Sequence, residues 1–174
     1  MASLILRLDT GDAVIDRSTK ILREQTGYEV ITDTNMTYKL ATIGRNENLI
    51  INAHGDATSC GNYSVTELAS LLARKGLKGP VNIQIIACET GFSGAPYALQ
   101  LKMELVQAHK IMANVSAPTR YVAVQDNGHT AVMDATFAAN GSVTSVTPVN
   151  DGVRLVNTPW GTRRVRTAQQ YRTT

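Results

Sequence analysis

Short β-branched apolar runs alternate with longer stretches whose apolar positions recur at helical spacing. Residues 3–8 and 28–32 read as strands. Between them Val14, Ile15, Ile21 and Leu22 fall at helical intervals, with Asp12 placed to cap the helix and Gly27 to end it. Residues 38–43 show no clear period and fit either a short edge strand or part of a loop. Leu49-Ile50-Ile51-Asn52-Ala53 is a third strand. Ser64-Val65-Thr66-Glu67 then opens a helix over residues 65–75 with the reciprocal hydrogen bonds of a capping box. Leu68, Leu71 and Leu72 form its buried stripe, and Gly76 and Gly79-Pro80 close it. Val81-Asn82-Ile83-Gln84-Ile85-Ile86-Ala87 is a fourth strand. Pro96 favours the first turn of a helix reaching about Lys110. Residues 111–115 form a fifth strand that ends at Ser116-Ala117-Pro118.

From Tyr121 the pattern changes. Asp126-Asn127-Gly128, Asn140-Gly141 and Asn150-Asp151-Gly152 punctuate runs that alternate in polarity, such as Val143-Thr144-Ser145-Val146 and Val153-Arg154-Leu155-Val156. Asn-Gly between alternating runs is a strong hairpin signal. The chain therefore reads as one α/β domain spanning 1–174. Its core covers about 3–120, a β-hairpin region about 121–166, and a polar tail that frays 167–174. Strand, helix, strand in succession makes the central sheet mostly parallel, flanked by helices.

Composition narrows the reading. Hydrophobic residues make up 43% of the 174, enough for a core, and charged residues only 18%, which argues against bulk disorder. The net charge of +3 does not itself argue for nucleic-acid binding. The positive charge is nevertheless concentrated at the end, in Arg154, Arg163, Arg164, Arg166 and Arg172. Cys60 and Cys88 have no zinc-ligand spacing, and two thiols in a reducing environment is the expectation. No run nears the roughly 20 apolar residues that span a bilayer. The N-terminus lacks a secretory pattern. The expected location is the cytoplasm, or a target-cell cytosol reached as a delivered effector.

The candidate chemistry sits at two strand ends. The third strand ends in His54-Gly55, the fourth in Cys88 followed by a small-residue loop. Parallel strands joined by one crossover share a C-terminal edge, where open α/β sheets place their sites. A thiol beside an imidazole is the minimum for a cysteine nucleophile. The backbone N–H groups of Gly55 and Cys88 are positioned to form an oxyanion hole, worth about 3 kcal/mol per donor. Cys60 lacks the strand-end context. No phosphate loop, dinucleotide fingerprint or metal-ligand cluster is present.

Strand-His54-Gly55, helix, strand-Ala87-Cys88 resembles the caspase-like (clan CD) cysteine peptidases. Ser64-Val65-Thr66-Glu67-Leu68-Ala69 and the hairpins after the core are similar to the self-processing cysteine protease domain of large bacterial toxins. Ala87-Cys88-Glu89-Thr90-Gly91 resembles the Ala-Cys-Glu-Ser-Gly of legumains. The resemblance runs through about residues 3–165 in order of elements. It implies a caspase-like fold with a C-terminal β-hairpin flap and thiol-dependent endopeptidase activity. It also implies a peptide or protein substrate, which includes the chain itself or a parent polypeptide. By that likeness Cys88 attacks, His54 protonates the leaving amine, and Ser116 and Ala117 lie on the segment where substrate is laid out in extended form.

Specificity stays open. Asp56 and Glu89 flank the catalytic loops and either line a pocket for a basic residue or are solvated loop charges, the commoner case. The resemblance also implies a polyanion activator such as inositol hexakisphosphate, for which Arg154, Arg163, Arg164 and Arg166 are the candidate contacts. The competing reading of those arginines is solvent-facing charge on a strand and a basic tail. Two other classes compete with the peptidase: a catalytically silent binding or adaptor domain of the same fold, and, less favoured, a nucleic-acid-binding α/β domain.

Overall fold

The computed structural model describes residues 2–36, 38–88, 90–91, 96–118, 121–127, 130–137, 139–140, 143–148, 153–158 and 161–166. In the strands from residue 130 onward it describes backbone path and pairing. Five strands, β1 (Leu4–Arg7), β2 (Glu29–Thr32), β3 (Asn48–Asn52), β4 (Val81–Ile86) and β5 (Ala113–Pro118), form an all-parallel sheet in the order 2-1-3-4-5. Three helices flank it: α1 (Ala13–Thr26), α2 (Val65–Arg74) and α3 (Tyr97–His109).

The helices start and stop where local chemistry dictates. Asp12 Oδ1 accepts the backbone N–H groups of Val14 and Ile15 at 2.9 and 3.1 Å, which caps α1. Gly27, at φ 72°, ends it in the left-handed region. Ser64 and Glu67 make the reciprocal bonds of the capping box at the start of α2.

The two faces of the sheet are unequal. Against α2 and α3, alternate residues such as Leu4, Leu6, Leu49, Ile51, Ile83, Ile85 and Val115 bury with Leu68, Leu72, Tyr97, Leu101 and Leu105 to make the main core. Against α1 the cluster is small, comprising Ile5, Ile50, Ile86 and Leu22, with Val122 and Val124 packed at its margin. The lightly covered face is the one that opens into a cavity.

Three features refine the sequence expectation or depart from it. Residues 38–43 form no edge strand and belong to the connection between β2 and β3. Lys39–Thr42 is a 3-10 helix entered through Tyr38 at φ 61°, and it turns Leu40 and Ile43 into the core. The fifth strand starts later than its apolar residues imply, because the Ile111 N–H still donates to the Leu105 carbonyl at the end of α3. Ser116, Ala117 and Pro118 therefore lie within β5, not beyond it.

The hairpin region also divides. β6 (Tyr121–Val124), β7 (Thr130–Phe137) and β8 (Val143–Pro148) form a separate antiparallel sheet. β9 (Val153–Thr158) and β10 (Gly161–Arg166) pair with each other, and β9 runs antiparallel along β5. The signal at Asn150-Asp151-Gly152 lies outside the described residues, and the strands around it belong to different sheets. A turn signal is local, whereas an open β5 edge would leave a row of unsatisfied backbone groups that β9 satisfies. The tail 167–174 also lies outside the described residues.

Candidate active site

Register brings the two predicted strand ends together. β3 and β4 are neighbours, with Asn52 opposite Ile86, and the ladder runs one step further through the Ala53 N–H to the Ile86 carbonyl at 3.2 Å. His54 and Cys88 follow two residues after Asn52 and Ile86, in the loop and the turn just beyond the two strand ends. Asn52 and Ile86 face α1, the side of the sheet on which His54 meets Asp12.

The β1–α1 loop and the loop after β3 together fix His54. Asp9 Oδ2 accepts the His54 backbone N–H at 2.8 Å, and the Gly61 N–H donates to the His54 carbonyl at 2.7 Å. Asp12 Oδ2 lies 3.0 Å from His54 Nε2. The Asp12 carboxyl is held below the ordinary carboxylate value, first by the Ile15 backbone N–H and then by the His54 imidazole. The helix cap is thus also the imidazole's partner. Sequence reasoning placed Asp12 only as a cap. The usable signal was its position: Asp9 and Asp12 follow β1 at the point between β1 and β3 where the order of the sheet reverses.

Cys88 sits in a tight turn beyond β4. Thr90 Oγ1 donates to the Ala87 carbonyl at 2.9 Å, the Ala98 N–H ties the Thr90 carbonyl to the start of α3, and the Gly91 N–H donates to the Pro118 carbonyl at 2.8 Å. Gly91 has no room for a side chain, since a Cβ would lie 2.7 Å from the Ala117 carbonyl oxygen. Gly55 is equally confined: a Cβ there would meet Ala87 Cβ at 2.8 Å and the Ser59 carbonyl oxygen at 3.1 Å. The two loops touch through these small residues, which sets the His-Gly segment against the Cys88 turn.

His54 and Cys88 both line a cavity of about 810 Å³. Its other walls come from the start of α1, from the ends of β3 and β4, and from Val122 and Val124 of β6. An exposed ion pair between Arg17 and Asp126, 2.9 Å long, joins α1 to the turn after β6 at its margin.

The other predicted residues scatter. Asp56 does not line this cavity. Its Oδ1 accepts from the Thr58 N–H, the Thr58 hydroxyl and the Ser59 N–H, and the Thr58 N–H is the first cause of its lowered pKa. Ser116 and Ala117 are buried. Ser116 pairs with Gln84 on one side and Val156 on the other, and Ala117 pairs with Leu155, so β9 occupies the edge expected for a substrate strand. Glu89 lies outside the described residues. Arg154 lies in β9 and Arg163, Arg164 and Arg166 lie in β10, the two strands that extend the sheet beyond β5. Cys60 is fully buried, and burial pushes its thiol pKa far up. Among the described residues no group of three His, Cys, Asp or Glu side chains is arranged to hold a metal ion, and no helix is long and apolar enough to cross a membrane.

Comparison with known proteins adds one assignment. Residues 20–132 match the family described as Domain of unknown function (DUF8616). The chain belongs to this family. The DUF8616 span contains His54, Gly55 and Cys88, while Asp12 precedes it and the arginines of β9 and β10 follow it. No curated protein matches the chain in sequence. Among solved structures, the aromatic-amino-acid aminotransferase from Burkholderia pseudomallei covalently bound to pyridoxal phosphate is similar at a TM-score of 0.31 and 11% identity. The alignment covers 67% of this chain and 31% of that one. A likeness so loose carries no argument about this DUF8616 member.

Proposed function

We propose that the chain is a caspase-like cysteine endopeptidase in which Cys88 is the nucleophile, His54 the acid–base group and Asp12 the partner that orients the imidazole. The observation that supports this most is that His54 and Cys88, just beyond the ends of the neighbouring strands β3 and β4, line one cavity on the α1 face of the sheet. With Nε2 engaged by Asp12, Nδ1 is the nitrogen left to serve the reaction. Nδ1 takes the Cys88 thiol proton, the thiolate attacks the scissile carbonyl, and the Gly55 and Cys88 N–H groups hold the oxyanion. His54 delivers a proton to the departing amine, and water then releases the acyl group from sulfur. A carboxylate behind the imidazole fixes its orientation.

In the same reading the separate β6–β8 sheet, whose Val122 and Val124 line the cavity, forms a flap over it. A polyanion such as inositol hexakisphosphate would be held by Arg154, Arg163, Arg164 and Arg166 of β9 and β10. The test is cleavage of a peptide library by the whole chain, with and without inositol hexakisphosphate. Cleavage should require reduced thiol and disappear in Cys88→Ala and His54→Ala. Absence of thiol-dependent cleavage in the wild type under both conditions sinks the reading.

A further inference from the structure

We propose that Asn52 is a positioning residue: its buried carboxamide pins α1 to the end of β3, and so sets Asp12 against His54. The argument begins with its placement. Asn52 is 1% exposed and shares a sheet face with Ile50, beside Ile5 and Ile86. An apolar side chain would fill this position without cost, whereas a buried amide is tolerated only when bonded.

All the described bonds of that amide go to one helix. Asn52 Nδ2 donates to Ser18 Oγ at 2.7 Å and to Thr19 Oγ1 at 2.9 Å, with the Ile15 carbonyl at 3.4 Å. The N–H of the same Ile15 donates to Asp12 Oδ1 at 3.1 Å. One residue of α1 thus touches both the amide on β3 and the carboxylate that holds the imidazole. His54 follows Asn52 by two residues on the same face. The segment from Asn52 to His54 therefore meets α1 and its cap at two points, Asn52 on Ser18 and Thr19, and His54 on Asp12. Two points fix the helix against sliding and against rolling about its axis.

Apolar packing alone would not do this. The buried side chains of this 14-residue helix are Ile15, Thr19 and Leu22. A second tie, Arg7 to Asp16 at 2.9 Å, is partly exposed, with side chains 28% and 42% accessible. Such a pair contributes little to holding a helix in register.

This role rests on the peptidase reading for its effect on turnover, but not for its effect on His54. The test uses Asn52→Leu, which is nearly isosteric and satisfies any purely structural demand for packing. A second variant, Ser18→Ala with Thr19→Val, removes the acceptors and leaves β3 untouched. Both are compared with the wild type by thermal unfolding, by NMR of the ¹⁵N-labelled His54 imidazole, and by kcat and KM on a cleaved peptide.

The expected result is a melting temperature close to wild type, with loss of the His54 Nε2–Asp12 hydrogen-bond signature. Turnover should fall about ten- to a hundredfold in kcat with KM little changed, as a shift of about 1 Å in a catalytic group produces. Folded variants that keep both the imidazole signature and kcat overturn the proposal. If Asn52→Leu does not fold, the helix variant decides on the same criteria. If the wild type cleaves nothing, the imidazole signal still decides on Asn52, and the peptidase reading falls separately.

Discussion

Asp12 Oδ2 lies 3.0 Å from His54 Nε2, while the other oxygen of that carboxylate closes the first turn of α1. Asparagine caps a helix about as well as aspartate but carries no charge for an imidazole. Asp12→Asn should therefore keep stability within about 0.5 kcal/mol and lower kcat/KM by about a hundredfold or more. Asp12→Ala should lose activity and in addition about 1 kcal/mol of stability. Denaturant melts beside peptide kinetics separate the two roles. Ser64→Ala is the control, since it breaks the capping box of α2 away from the cavity. It should cost about 1 kcal/mol of stability with no change in kcat.

Acid should weaken the fold in a defined window. The carboxyls of Asp12 and Asp56 lie below their ordinary value of 3.8 and that of Glu67 below 4.5, each chiefly because backbone N–H groups bind the ionised form. A depressed folded-state pKa means that the unfolded chain binds the proton more readily. The stabilisation is complete above the ordinary value and is lost as pH falls through the lowered one. The urea midpoint should hold steady down to about pH 5 and drop below about pH 4, with a shallower drop in Asp56→Asn. A midpoint that rises on acidification would contradict the assignment.

The two cysteines should react very differently. Cys60 has no exposed surface and its thiol is pushed far up by burial, with the Asp9 charge adding to it. Cys88 is half-buried and lines the cavity. Iodoacetamide on the native chain should place one label, on Cys88, read by peptide mass. Cys60 should label only in denaturant. Native labelling of Cys60 at a comparable rate would show that its surroundings open.

Gly55→Ala tests the contact between the two loops. The added methyl meets Ala87 Cβ, the Ser59 carbonyl and Thr90 Cγ2 at 2.8 to 3.1 Å, so backbone must shift. Overpacking of this kind costs about 1–3 kcal/mol. Turnover should fall further than stability alone explains, because the shift separates the His54 segment from the Cys88 turn. Unchanged melting temperature and unchanged kcat together would exclude a tight approach here.

Much of the parallel core was legible because its signals are local. Asp12, Gly27 and the Ser64–Glu67 box act within a turn of where they stand, and the apolar runs of β3 and β4 mark their own ends. The pairing of strand order with His54 and Cys88 followed from the crossover rule. What was hidden depends on distant partners. Nothing near Asp12 says that its second oxygen meets a histidine 42 residues later. Nothing near Asn52 distinguishes a buried amide in a strand from a solvated one. The alternating runs on either side of Asn150-Asp151-Gly152 announced a hairpin, whereas β8 and β9 join different sheets.

The pairing of β9 with β5 has a consequence for synthesis. All five parallel strands are complete at Pro118, yet the outer edge of β5 waits for residues 153–158 to emerge. In that interval the nascent core presents a row of bare peptide groups, able to accept a strand from another copy as readily as its own. A chain interrupted between the two segments would be the form most prone to exchange strands or to aggregate, whatever the state of its cavity.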